Sequence, residues 1–268
     1  MARYDDDYDD DYDDDLPSQK QRRKPNDGGG FKVQWIVGGA ALFGVFVLLG
    51  GLAIVFLLPA WHEAQAAKSR NHLKQIGLAL HNYHDVFNRF PPGSVVQEDG
   101  TVLLSWQGSL LPYVDEAPLY NRMAFDIDWN GPENRKVRET VVPVYQNPNL
   151  SRSVTTDGLP VTHYAGNSHV FFENRTLGIR DITDGTSNTI IIGEVTTGLK
   201  AWGDPTNVRD PALGLDATPE QFGLTRSSTG LGAQFLSIDG AVHFIHKDVD
   251  PEILKALSTY NGNEVMRF

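Results

Sequence analysis

Apolar residues are concentrated in one unbroken block near the start of the chain. Residues 33–58 read VQWIVGGAALFGVFVLLGGLAIVFLL, 26 positions without a charge. At a rise of about 1.5 Å per residue, roughly 20 such positions cross a bilayer's hydrocarbon core, so the block predicts a transmembrane helix. It is too long for the apolar region of a signal peptide, typically about 7–15 residues. Pro59 follows, and then a different pattern begins. Leu73, Ile76, Leu80, Tyr83, Phe87 and Phe90 recur at spacings of 3, 4, 3, 4 and 3. That predicts one apolar stripe on a helix, with Lys74, Gln75, Asn82 and Asp85 off it. Pro91-Pro92-Gly93 is the expected stop, and Pro59 a point of kinking. Beyond residue 93 the pattern changes to short β-type runs: Thr101–Trp106, Val141–Tyr145, Val170–Phe172, Thr189–Glu194, Gln234–Ile238 and Ala241–Ile245. Asp239-Gly240 reads as a two-residue hairpin turn, residues 200–232 as a long loop region, and Pro251–Tyr260 as a closing helix. The expected fold class is α+β, with a transmembrane helix continuing into a long amphipathic helix packed on an antiparallel sheet.

Charge divides the chain further. The net charge is −11, but residues 1–15 carry −8 and residues 16–32 carry +4, leaving −7 on the rest. Residues 4–15 repeat YDDD, a density of like charge with no apolar face, which predicts disorder. The tail either docks a basic partner or is simply solvated. Lys20, Arg22, Arg23, Lys24 and Lys32 precede the apolar block, whereas Lys68, Arg70 and Lys74 lie spread beyond it. The positive-inside rule then puts the N-terminus in the cytoplasm and the C-terminal part outside the cytoplasmic membrane. Trp35 and Trp61 fall where an aromatic belt would sit, and Gly38, Gly39, Gly44, Gly50 and Gly51 give the span small faces. The expected division is 1–32 tail, 33–58 transmembrane helix and 59–268 extracytoplasmic domain. The mildly acidic remainder has no basic run suited to nucleic acid. There is no cysteine, which excludes a disulfide framework and thiolate metal sites.

Candidate chemistry is sparse. Asp181, Asp184 and Asn188, with Gly185, Thr186 and Ser187, form an oxygen-rich loop ahead of a strand. It could supply several ligands to calcium, though without EF-hand spacing. The alternative is a turn whose side chains bond their own backbone. His81 and His84, three apart on the helix beside Asp85, are within reach of a shared metal but flank the apolar stripe and lack a third ligand. His243 and His246 fall on opposite faces of a strand. No nucleophile elbow, metalloprotease or phosphate-loop arrangement occurs, so no enzyme activity and no cofactor beyond that calcium candidate are expected.

Four blocks of sequence carry a resemblance: LKQIGLALHNYHDVFNRFPPG (73–93), SWQGSLLPYVDEAPLYN (105–121), DITDGTSNTIIIGE (181–194) and FLSIDGAVHFIHKDVDPEILKALSTYNG (235–262). Together they resemble the domain of unknown function 1559 family of planctomycete-type bacteria, itself similar to type IV pilins and type II secretion pseudopilins. The resemblance implies a pilin-like fold, an N-terminal processing junction at Gly30-Phe31, and no established catalytic residues. Two departures stand out. The acidic fifth residue after the junction is replaced by Trp35, and cysteines that members often carry are replaced by Ser69 and Asn147.

These observations imply a membrane-anchored, pilin-like structural protein of the cell envelope. Its partners would be the lipid bilayer and other pilin-like subunits or secretion components. The alternative is a permanently anchored extracytoplasmic module that binds a ligand or partner.

Overall fold

The computed structural model describes residues 30–151, 153–216, 218–227 and 229–263. The tail expected over 1–32 therefore lies outside the described residues, except for its last three positions. Gly30 and Phe31, the candidate processing junction, open the first helix, α1 (Gly30–Phe87). The chain divides into two units, Met1–Leu52 and Ala53–Phe268, and α1 contributes to both. Pro59 lies inside the helix.

Nine large apolar side chains of α1, from Phe43 to Val55, are 50–76% exposed. Among the described residues, α1 alone is long and apolar enough to cross a membrane, with a mean hydropathy of 2.5 over its most apolar stretch. Such a continuous uncovered surface is costly in water and neutral in hydrocarbon.

Further along α1 the pattern becomes one-sided. Ala66, Ser69, Leu73, Ile76, Ala79 and Leu80 are buried, while Lys74, Gln75, Asn82 and Asp85 are exposed. The predicted stripe therefore holds from Leu73 to Leu80, but it also begins earlier, at small residues that let the helix approach the sheet. It fails at Phe87, which is 56% exposed and rests against Tyr83 at 4.4 Å. The helix ends before the prolines. Asn88 takes a left-handed backbone, φ 57°, and donates its N–H to His84 O at 2.7 Å. Asparagine tolerates that conformation better than most residues, so a local cap stops the helix first. Phe90 then turns inward from the following loop and is buried.

A two-stranded hairpin ledge comes next: β1 (Ser94–Val96) pairs antiparallel with β2 (Val102–Ser105). Ser105 caps α2 (Trp106–Leu110), its Oγ accepting Gly108 N–H at 3.1 Å. Two single-turn helices follow, α3 (Ala117–Tyr120) and α4 (Arg135–Arg138). The main sheet comprises β3 (Tyr164–Asn167), β4 (Ile190–Glu194), β5 (Val208–Arg209), β6 (Thr225–Ser227), β7 (Gly230–Ser237) and β8 (Val242–His246). Its order is β5-β3-β4-β7-β6, with β8 also on β7. Residues 235 and 236 of β7 pair with both β4 and β8, and residue 232 with both β6 and β8. β4 and β6 thus lie end to end along one edge of β7, and β8 along the other. The sheet is mixed rather than wholly antiparallel, because β3 and β5 run parallel.

One face of this sheet, through Tyr164, Ile192, Leu236 and Ile238, shares a core with the α1 stripe, Trp106 and Tyr145. The opposite face, through Ala165, Ala233 and Phe235, packs on Phe222 and on Leu254 and Leu257 of α5 (Pro251–Ser258). α5 starts as its sequence predicts, with Asp250 accepting Glu252 N–H at 3.0 Å and Pro251 in the first turn. Gly193 is required by this layer: a Cβ there would stand 2.5 Å from Phe235 and 2.6 Å from Phe222.

Several predicted strands are corrected. Val141–Tyr145 forms an irregular segment with a 3-10 turn at Pro143–Tyr145, since proline has no N–H for a ladder. Val142, Val144 and Tyr145 still fill the core, while Val141 is exposed. Val170–Phe172 follows another turn, where Val170 and Phe171 both donate to Asn167 O; Phe171 stacks on Trp106 at 5.0 Å. Conversely, β3 reads Tyr-Ala-Gly-Asn and gives no strand signal. Residues 200–232 are not all loop, because β5, β6 and the start of β7 lie there. The hairpin at Asp239-Gly240 is real but one residue longer. Ser237 N–H bonds Ala241 O at 2.9 Å, and Gly240 sits at φ 88°. Asp239 Oδ1 takes both Ser237 Oγ, at 2.6 Å, and Ala241 N–H, at 3.0 Å.

Candidate functional site

The junction where β4 hands over to β6 along β7 creates a local problem. Neither short strand reaches Gln234 of β7, so its N–H has no ladder partner. A buried N–H left open costs roughly 1–3 kcal/mol. Glu194, the last residue of β4, solves this: its Oε2 accepts Gln234 N–H at 2.9 Å and Thr225 Oγ at 2.8 Å from the start of β6. Its Oε1 accepts Asn147 Nδ2 at 2.8 Å and the hydroxyl of Ser69 on α1. Tyr164 OH lies 2.9 Å from Ser69 Oγ, and Gln234 Nε2 donates to Ala66 O at 2.7 Å. One fully buried carboxylate therefore ties α1, the 147 loop, β6 and β7 together. Ser69 and Asn147, 78 positions apart in sequence, meet at a single oxygen.

Burial pushes the Glu194 carboxyl above the usual carboxylate range, and Ser69, Gln234 N–H, Thr225 and Asn147 pull it back. Burial, then the Glu194 charge, raises the Tyr164 phenol. Beside this hub, His163 is 1% exposed. Its Nδ1 accepts Asn147 N–H at 3.1 Å, so the neutral ring carries its proton on Nε2, which has no hydrogen-bond partner among the described residues. Burial lowers its pKa to about 4. The whole constellation is sealed from solvent, and every Glu194 carboxylate oxygen is engaged by its own partners, whereas His163 Nε2 and Gln234 Oε1 are buried without one among the described residues. Its chemistry is that of a clasp.

The Asp181–Asn188 loop is a second junction. Asp184 Oδ2 accepts Gly262 N–H at 2.6 Å and Thr259 Oγ at 3.1 Å, and Oδ1 accepts Asn263 N–H at 2.7 Å. Asn188 donates Nδ2 to Asp184 O at 3.1 Å. Thr186 O accepts Asp239 N–H at 3.1 Å from the β7–β8 hairpin. Asp181 faces elsewhere, accepting Gly178 N–H at 2.8 Å and one Arg89 N–H at 3.4 Å. The fold thus joins Asp184 and Asn188 but not Asp181, and the two carboxylates are aimed at separate backbone donors. His81 and His84 lie beside Phe90 at 6.2 and 5.0 Å, and His84 Nε2 faces Ile179 N–H at 3.3 Å. Among the described residues no group of three or more His, Cys, Asp or Glu gathers as a metal-ligand set.

A family model described as a protein of unknown function (DUF1559) matches residues 62–218, more than half of the chain. The chain belongs to that family. No curated protein and no solved structure matches it. Within this DUF1559 chain, Ser69, Asn147, His163, Asp184 and Glu194 fall inside the matched span. Thr225 and Gln234 lie beyond it, as does the resembling block at 235–262. Sequence reasoning missed Glu194 because it closes an apolar run, where a charge reads as a solvated strand end. Its partners Ser69, Asn147, Thr225 and Gln234 lie far from it in sequence and give no local signal.

The Asp184 geometry carries a prediction. Asp184→Ala removes the acceptor of Thr259 Oγ and of the backbone N–H groups of the exposed residues Gly262 and Asn263, and is expected to lower stability by about 1 kcal/mol. Thermal unfolding of the full chain in detergent checks this. The same scan, run with calcium and with chelator, is expected to give one Tm for the wild type. A calcium-dependent rise that disappears in Asp184→Ala would instead assign the loop to a cation.

Proposed function

We propose that this protein is a membrane-anchored, pilin-like structural protein of the cell envelope. Its N-terminal tail lies on the cytoplasmic side until it is cut at Gly30-Phe31, its domain is extracytoplasmic, and its role is non-enzymatic, within or related to a pilus or secretion assembly. The observation that carries this reading is the change of character along α1. Large apolar side chains are uncovered from Phe43 to Val55, whereas Ala66 to Leu80 are buried on one side against a sheet. A helix suited to lipid at one end and to a sheet at the other is the division of labour of a pilin-like subunit. The sealed Glu194 hub supports a structural role, since its reactive groups have no access to a substrate.

The test is the intact mass of the protein extracted from its native membrane. Under this reading the protein resists alkaline carbonate extraction, and its mass begins at Phe31. Retention of Tyr4–Asp15 would exclude a processed filament subunit and favour the second reading, a fixed anchor presenting a binding domain. Release of the chain by carbonate would remove the anchoring itself.

A further inference from the structure

On a chain of net charge −11, one surface collects positive charge. A cleft of about 480 Å³ beyond the end of α1 is walled by Arg89, Arg175, Arg180, Tyr260 and Asn261. A neighbouring cleft of about 510 Å³ shares Arg89 and Arg180. Three guanidiniums face one carboxylate in these walls, Asp181. That carboxylate offsets one of the three charges and is already engaged. It is engaged by Gly178 N–H, and its contact with Arg89 is a 3.4 Å pair with both side chains about half exposed.

Two of the arginines are pre-positioned. Arg175 lies over the Phe172 ring at 4.5 Å and donates Nη2 to Tyr260 OH at 2.7 Å. Arg89 donates Nη1 to Thr176 O at 3.1 Å. Each keeps further N–H groups for a ligand, because a guanidinium has five. Arg180 is exposed and makes no hydrogen bond or ion pair among the described residues. Fixing guanidiniums in advance reduces the ordering cost of binding.

We propose that this cleft binds a tetrahedral dianion, phosphate or sulfate, either free or as the monoester end of a small molecule. One bidentate arginine saturates a carboxylate, whereas a tetrahedral dianion offers oxygens on several sides to several arginines. Three positive charges less one match its charge of two. This inference is independent of anchoring and assembly, and it can fail or succeed without touching them.

The experiment is isothermal titration of the full chain in detergent at low salt with inorganic phosphate, inorganic sulfate, methyl phosphate and, as a control, acetate. Saturable binding with Kd below about 1 mM is expected for a dianion, with acetate at least about tenfold weaker. Arg180→Gln and Arg175→Gln are each expected to weaken binding about tenfold or more, and Lys136→Gln, on α4 and in the wall of neither cleft, to leave it unchanged. Arg180→Gln removes no internal contact, so an unchanged Tm separates lost binding from lost structure. Preference for methyl phosphate would identify a monoester ligand, and preference for the inorganic ions a free anion. No saturation, equal affinity for acetate, or full affinity in both arginine variants would overturn the proposal.

Discussion

Glu194→Ala is expected to cost about 3–5 kcal/mol of stability, because buried donors lose their acceptor and a cavity opens. Four donors converge on that carboxylate. Two have an alternative: Ser69 Oγ can turn to Tyr164 OH, and Thr225 Oγ lies 3.4 Å from Gly232 O. Asn147 Nδ2 and Gln234 N–H have none at hand, and both remain buried. The cavity left by the missing carboxymethyl group adds to the penalty. Glu194→Gln keeps the shape but turns an amide NH2 toward donors on one side, so it should fall between wild type and alanine. Thr225→Val removes one donor and should cost about 1 kcal/mol. Denaturant unfolding of the full chain in micelles, followed by the fluorescence of its five tryptophans, measures all three. A Glu194→Ala midpoint within about 1 kcal/mol of wild type would mean that the clasp contributes nothing.

The second large effect is on acid stability, and it comes from His163. Its folded pKa, about 4, lies below the ordinary value of 6.5 because the ring is buried. Protonation would also place an Nδ1–H against the Asn147 N–H that Nδ1 now accepts. The sign follows from linkage. Above pH 6.5 both states are neutral and His163 contributes no slope. Below it the unfolded chain gains a proton that the folded chain refuses, so stability falls as pH drops, until the folded pKa is reached near 4. The full contribution is about 3 kcal/mol, at roughly 1.4 kcal/mol per pH unit. Glu194 acts in the opposite sense. Its raised pKa lets the folded state take up a proton before the unfolded chain does, which favours folding as pH falls. The measurement must therefore be a difference. The stability advantage of wild type over His163→Gln is expected to shrink by about 2 kcal/mol between pH 6.5 and pH 5. Parallel curves for the two proteins would show that His163 does not govern the acid response.

The hub joins α1 to the 147 loop in a chain without cysteine. A disulfide between two positions restricts the unfolded chain, whereas a shared carboxylate acts only in the folded state. The connection therefore depends on pH and on every partner being present, and its loss in one variant should expose the whole junction between α1, β6 and β7.

By itself, the sequence determined whatever depends on local pattern. The uncharged block at 33–58, the α1 stripe from Leu73 to Leu80, the β7–β8 hairpin and the Pro251 helix are each written in neighbouring residues, through hydropathy period, turn chemistry and capping. The family, too, is carried by contiguous motifs, and its model covers 62–218. Tertiary structure decided what depends on residues far apart. Tyr164–Asn167 is a strand because Gly166 lets Phe171 close over it, a Cβ there standing 2.5 Å from that ring. Val141–Tyr145 is not a strand, because Pro143 denies it a ladder while the core still takes Val142, Val144 and Tyr145. Glu194 is a clasp rather than a surface charge because β4 and β6 leave a gap beside Gln234, 40 residues away in sequence. Asp181 and Asp184 read as one loop of ligands until the chain end returned to claim Asp184 alone. Patterns along a chain report which faces are apolar. Only the packed fold brings donors from four segments to one oxygen pair and determines what each polar group meets.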